Sequence, residues 1–114
     1  MEFEEREVRL PRGKLRYHQG GRGAPLLYFH SAGGFRASQA LKTLMETRTV
    51  YMPIVPGFDG TEPLDGIKSC ADLAELLAAF ADSVIKDPCD VMGHSFGGRI
   101  AIWFAARYPE KVRL

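Results

Sequence analysis

A three-layer α/β sandwich, in which an N-terminal antiparallel hairpin leads into a mostly parallel sheet, is the fold class that these 114 residues predict. Three observations point to it. Charged and apolar residues alternate near the N-terminus, as in strands with one solvated face. Continuous apolar runs such as "LLYFH" follow, as in strands covered on both faces. Those runs then alternate with segments of helical periodicity, which implies right-handed crossovers between parallel strands. The length suits one domain, residues 1–114, and a composition of 46% hydrophobic and 25% charged residues supplies a real core.

In chain order, "FEEREVRL" and "KLRYH" read as two strands joined at Pro11-Arg12-Gly13, because Phe3, Val8, Leu10, Leu15 and Tyr17 alternate with charges. The loop "QGGRGAP" is expected to end this hairpin, and residues 26–30, "LLYFH", form the next strand. From Phe35 to about Thr47, Leu41, Leu44 and Met45 recur at helical spacing. Residues 49–55, "TVYMPIV", read as a strand whose second half is weakened by Pro53, since proline donates nothing to a ladder. It leads into the loop "PGFDGTEPLDG". Ser69, with Asp72 three residues on, makes a capping-box pattern ahead of the stripe Leu73, Leu76, Leu77, Phe80 and Val84. Lys86-Asp87-Pro88 ends that helix, "CDVMG" is a short strand, and a third helix runs from about Ser95 to Arg107. The final "KVRL" reads as the start of another strand.

Fifteen basic residues against fourteen acidic ones leave a net charge of +1, so there is no electrostatic footprint for nucleic acid or an anionic membrane. No stretch reaches membrane-spanning length and the N-terminus has no apolar signal core, so a cytoplasmic protein acting on a small molecule is expected. Cys70 and Cys89 lack a C-x-x-C spacing and neighbouring histidines, and read as free, buried-type thiols. Neither a metal nor a cofactor is expected.

The chemistry concentrates in residues 91–109, "VMGHSFGGRIAIWFAARYP". Gly93-His94-Ser95-Phe96-Gly97 fits G-x-S-x-G between a predicted strand and a predicted helix, the context in which a serine is forced onto a tight, exposed turn. A hydroxyl is a weak nucleophile that needs exposure, a base, and donors for the oxyanion that forms. Gly93 and Gly97 remove side chains from the turn, Gly98 is expected to allow close packing, and the Phe96 amide opens a helix toward the developing charge.

Three motifs together resemble the N-terminal half of an α/β-hydrolase, from about residue 24 onward. "PLLYFHSAGGF" resembles the strand and oxyanion loop written H-G-x, and "VYMPIVPGFDGTEP" the strand and loop written APDLPGFGxS. "GHSFGGRIAIWFAARYPEKV" resembles the nucleophile elbow and its helix. The resemblance implies hydrolysis of an ester, amide, thioester, epoxide or carbon-carbon bond by a Ser-His-acid triad. It makes Ser95 the nucleophile, the backbone amides of Phe96 and Ala32 the oxyanion donors, His94 the variable elbow residue, and His30 a support of the oxyanion loop. Ser31 stands where the pattern has glycine, and Ile54 where many members carry aspartate. Phe35, Phe58 and Phe96 either line an acyl pocket or belong to the core.

The family's acid and base follow later strands, in the order Ser, acid, His. No residue here matches either position, and His18, His30 and His94 all precede Ser95, so both partners are expected outside this chain. The reading from a different class is a catalytically inactive, truncated fold that binds or oligomerises. Under it "CDVMG" is an exposed sheet edge, covered most simply by another copy of the chain.

Overall fold

The computed structural model describes every residue except 1, 37, 62, 65 and 114. Glu62 and Asp65 of the expected loop, and Leu114 of the expected final strand, therefore lie outside the described residues. The sheet has five strands in the order β1-β2-β4-β3-β5. They are β1 (Glu4–Leu10), β2 (Gly13–Gly21), β3 (Ala24–Phe29), β4 (Arg48–Pro53) and β5 (Asp90–Gly93). β1, β2 and β4 pair antiparallel, whereas β3 lies parallel to both β4 and β5. The helices are α1 (Gln39–Leu44), α2 (Cys70–Phe80), extended by a π-turn over Ala81–Ile85, and α3 (Phe96–Arg107).

The three layers follow from strand alternation. Leu26 of β3 and Val50 and Met52 of β4 point to one face and pack on Leu41 and Met45 at α1. Leu27 and Phe29 point the other way and pack with Leu73, Leu76, Leu77 and Phe80 of α2 and Ile100 and Phe104 of α3. Each fully buried side chain of this kind contributes about 1.5–3 kcal/mol over leaving it exposed. The expected sandwich, with helices on both faces of the sheet, is what these residues build.

Local departures have physical reasons. β2 runs on to Gly21, past the point where "QGGRGAP" was expected to end it, and pairs Gly20 with Val50 and Gly21 with Thr49. Gly21 (φ +87) makes this possible, because a Cβ there would sit 2.7 Å from the Met45 carbonyl oxygen. α1 is shorter than the expected Phe35–Thr47. Ser38 caps it, its Oγ accepting from the Leu41 N–H at 3.3 Å. At α2, Ser69 Oγ accepts from the Asp72 N–H at 3.2 Å, and Asp72 returns its carboxylate to the Lys68 N–H at 2.9 Å, one residue before a standard capping box. Lys86 leaves this helix with φ +74 after donating its N–H to Ala81 O, the i to i−5 bond of a π-turn.

Two features fix the parallel half. Arg48, at the start of β4, donates Nε to Ala24 O at 3.2 Å and Nη2 to Pro25 O at 3.3 Å, and forms an ion pair with Asp90 at the start of β5. On the far side of β5, Cys89 bridges Val112 in parallel, through Cys89 N–H to Lys111 O and Arg113 N–H to Cys89 O. The expected start of a strand in "KVRL" thus takes one bridge on that edge. Cys70 and Cys89 are both free thiols, but only Cys89 is buried as expected, since Cys70 opens α2 and is half-buried; burial pushes the Cys89 thiol up to about 11, with the neighbouring Asp90 charge adding to the effect.

Candidate active site

β3 and β5 are neighbours and parallel, so their C-terminal ends deliver two turns side by side. From β5, His94 and Ser95 link strand to helix, and Ser95 has φ +57 and ψ −112, a conformation that costs a side-chain-bearing residue about 1–3 kcal/mol. Its neighbours make the turn possible. A Cβ on Gly93 would lie 2.6 Å from Gly98 N, and one on Gly97 would lie 2.6 Å from His30 O and closer still to Phe29 O. The His94 N–H donates to Phe29 O at 3.2 Å and joins the turn to β3. Ser95 is exposed, its hydroxyl makes no capping bond, and as the first residue of α3 Phe96 has no intrahelical partner for its N–H.

Gly98 differs from the expectation of close packing. A Cβ there would meet Gly93 O at 3.6 Å, an ordinary contact, so the space admits a side chain. The sequence pattern treats the three glycines alike, but only at the first two would a Cβ collide with backbone.

From β3, the turn Ser31–Gly34 closes with Gly34 N–H to Ser31 O at 2.9 Å. His30 is 1% exposed and uses both ring nitrogens: Nε2 accepts from the Val55 N–H at 2.9 Å, which places the proton on Nδ1, and Nδ1 donates to Ser31 O at 2.7 Å. The imidazole is a brace between the turn after β3 and the loop after β4, with no nitrogen left for Ser95. Among described residues, side-chain-bearing positions with positive φ are Asp59, Lys86 and Ser95, so Ser31 sits in backbone that serine tolerates and does not need the glycine of the pattern. Ala32 is exposed between these fixed points. Ile54, where the pattern carries aspartate, is 1% exposed and donates its N–H to Arg16 O at 2.9 Å.

The three phenylalanines divide. Phe58 stacks on Phe96, with ring centroids 5.5 Å apart, and tilts against His30 at 5.3 Å, so two of the expected aromatics meet beside Ser95. Phe35 instead stacks on His18 at 3.7 Å and meets Phe3 edge-on at 5.3 Å, within the α1-side cluster. A cavity of about 280 Å³ opens beside exposed His94, between Tyr28, Ser31 and Arg36. A larger one, about 430 Å³, lies between the hairpin and the loop after β4, around Arg9, Lys14, Arg16 and Leu64, away from the candidate residues.

One residue had no place in the sequence reading: Asp59. Its Oδ2 accepts from the Phe35 N–H at 2.7 Å, across 24 positions of sequence. The available signal was a carboxylate inside the turn-prone "GFDG", which marks a turn and does not reveal the distant partner.

Comparison with known proteins matches the chain to the alpha/beta hydrolase fold over residues 21–113. It is 34% identical to 2-hydroxymuconate semialdehyde hydrolase of Pseudomonas putida, across 95% of this chain and 40% of that protein. A shorter segment, 32% of this chain, is 48% identical to 16% of the pimeloyl-[acyl-carrier protein] methyl ester esterase of Neisseria meningitidis serogroup B / serotype 15. The crystal structure of a membrane phospholipase A, a bacterial virulence factor, superposes with a TM-score of 0.81 at 29% identity, over 96% of this chain and 37% of that one. The chain thus spans about 40% of the length of the first relatives it matches. With a match over residues 21–113, the chain belongs to the α/β-hydrolase fold family.

Proposed function

We propose that Ser95 is the nucleophile of a serine hydrolase acting on an ester or related carbonyl substrate. In this mechanism Oγ attacks the carbonyl carbon as a base takes its proton, and the oxyanion forms between the Phe96 and Ala32 N–H groups. Collapse of that intermediate expels the protonated leaving group, and water then releases the acyl group from Ser95. The base and acid come from outside this chain, as the family's order of serine, acid and histidine implies, and His30 is engaged in its brace. Phe58 and Phe96 are the apolar wall for the acyl part, and Phe35 contributes only through the loop it anchors.

The observation that carries this reading is the backbone of Ser95: a strained, exposed serine at a strand-helix junction, between glycines whose places no side chain can take. The relatives named as hydrolases and esterases support the reaction class. The test is covalent labelling with a fluorophosphonate ester, comparing wild type with Ser95→Ala and following hydrolysis of a p-nitrophenyl ester. Labelling lost in Ser95→Ala is expected; an unlabelled wild type that also leaves the p-nitrophenyl ester intact overturns the catalytic reading.

A second reading, an inactive module that associates through its sheet edge, is favoured by exposed apolar side chains on β5 and on the helix that follows it. Ile102 is 73% exposed and Trp103 42% exposed on α3, and Met92 of β5 is 41% exposed. Light scattering separates the readings here: a monomer at high concentration counts against association.

A further inference from the structure

We infer that Asp59 is a positioning residue for the oxyanion loop, aiming the Ala32 N–H by holding the Phe35 N–H. The inference rests on the reading of Ser95 as nucleophile. The loop has two stems. The entry stem is fixed at Ser31 O, which accepts from both the Gly34 N–H at 2.9 Å and His30 Nδ1 at 2.7 Å. The exit stem is held by the Phe35 N–H to Asp59 Oδ2 bond at 2.7 Å, a length typical of charge-assisted bonds. Ala32 and Gly33 are exposed between the two stems, so the stems set where the Ala32 amide points.

Gly34 and Asp59 are matched in shape. Gly34 has φ +82, and a Cβ there would lie 2.8 Å from Asp59 Oδ2 and nearer still to Oδ1, so the carboxylate fills the volume that glycine leaves free. The turn that carries Asp59 is itself well held: the Phe58 N–H donates to Val55 O at 2.9 Å, the Thr61 N–H to Phe58 O at 3.0 Å, and Thr61 Oγ1 to Phe58 O at 2.6 Å. Asp59 adopts φ +51 within it. The same turn presents Phe58 to Phe96, the residue after Ser95. One turn therefore touches both halves of the site. Asp59 and Ser31 both occupy positions written as glycine in the family patterns, and both contact this loop; the carboxylate supplies the restraint on its exit.

The test compares wild type, Asp59→Ala and Asp59→Asn by three measurements: the rate of Ser95 labelling by a fluorophosphonate, amide spectra and exchange of Ala32 and Phe35, and the thermal midpoint. Asp59→Ala is expected to slow labelling about tenfold, a smaller loss than deleting an oxyanion donor outright. It should also move the Ala32 resonance and speed Phe35 exchange at least about tenfold, as one charge-assisted bond implies. Asp59→Asn keeps an oxygen acceptor and should remain within about threefold of wild type in both. Wild-type labelling and an unmoved Ala32 resonance in Asp59→Ala overturn the inference. So does exchange that accelerates across the whole domain, since that marks general destabilisation. A wild type that is itself unlabelled sinks the nucleophile reading, and the Ala32 and Phe35 amides then decide alone whether Asp59 sets the loop.

Discussion

Changing Gly97 to alanine and Gly98 to alanine, one residue apart in the same helix turn, should move stability in opposite directions. At Gly97 the new Cβ would sit 2.6 Å from His30 O, about 0.8 Å short of ordinary contact at 3.4 Å, and the obstacle is backbone at the end of a central strand. Relief requires α3 and β3 to separate. Such overpacking costs about 1–3 kcal/mol, and the same separation breaks the bond from the His94 N–H to Phe29 O, worth about 1 kcal/mol. The expected loss is therefore about 2–4 kcal/mol, or roughly 10–20 °C in thermal midpoint for a domain near this size. At Gly98 the Cβ meets nothing nearer than 3.6 Å, so alanine restricts the unfolded chain and gains about 0.5–1 kcal/mol. Urea titration of wild type and the two variants measures both. If Gly97→Ala is no less stable than Gly98→Ala, the close approach of α3 to β3 is wrong.

Two further predictions concern titration. The Cys89 thiol, raised to about 11 from 9.0 chiefly by burial, stays protonated in the fold after the unfolded chain has begun to ionise. Its contribution is full below pH 9 and fades between pH 9 and about 11, so wild type should lose more stability across that window than Cys89→Ala; parallel curves would refute it. Burial against Phe35 lowers the His18 pKa below the ordinary 6.5, outweighing the opposing pull of Glu5 and Asp59 and reinforced by the Arg16 charge. The neutral ring is favoured in the fold, so this stability is present above pH 6.5 and is lost as pH falls through the lower folded value. An NMR titration placing His18 at or above 6.5 would contradict the stacking arrangement.

Where a residue's partner is close in sequence, the sequence was a good guide. The serine turn, the Ser69 cap and the α2 stripe all depend on neighbours within a few positions, and Leu73, Leu76, Leu77 and Phe80 are buried as their spacing implies, with Val84 half-buried. The readings strayed where a distant group intervened. Phe35 was expected to open a helix, but its N–H is committed to Asp59, and α1 waits for the Ser38 cap. Glycines 20 and 21 look like a turn until β4 is alongside to pair with them. Gly98 looks like Gly93 and Gly97 because sequence does not reveal which glycine lies against backbone closely enough to exclude a Cβ. His30 was legible as loop support, yet the fixed tautomer depends on the Val55 amide, 25 positions away.

The reach of Arg48 separates two duties that the same three strands perform. Ala24, Arg48 and Asp90 mark the starting ends of β3, β4 and β5, and one guanidinium ties all three there. The candidate chemistry sits at the opposite ends, after Phe29 and Gly93. Strand fraying that begins in the loops after β3 and β5 thus runs toward a fastening and not toward an open seam. Changes confined to the loops after Phe29 and Gly93 leave the contacts of Arg48 that fix the register of the three strands untouched.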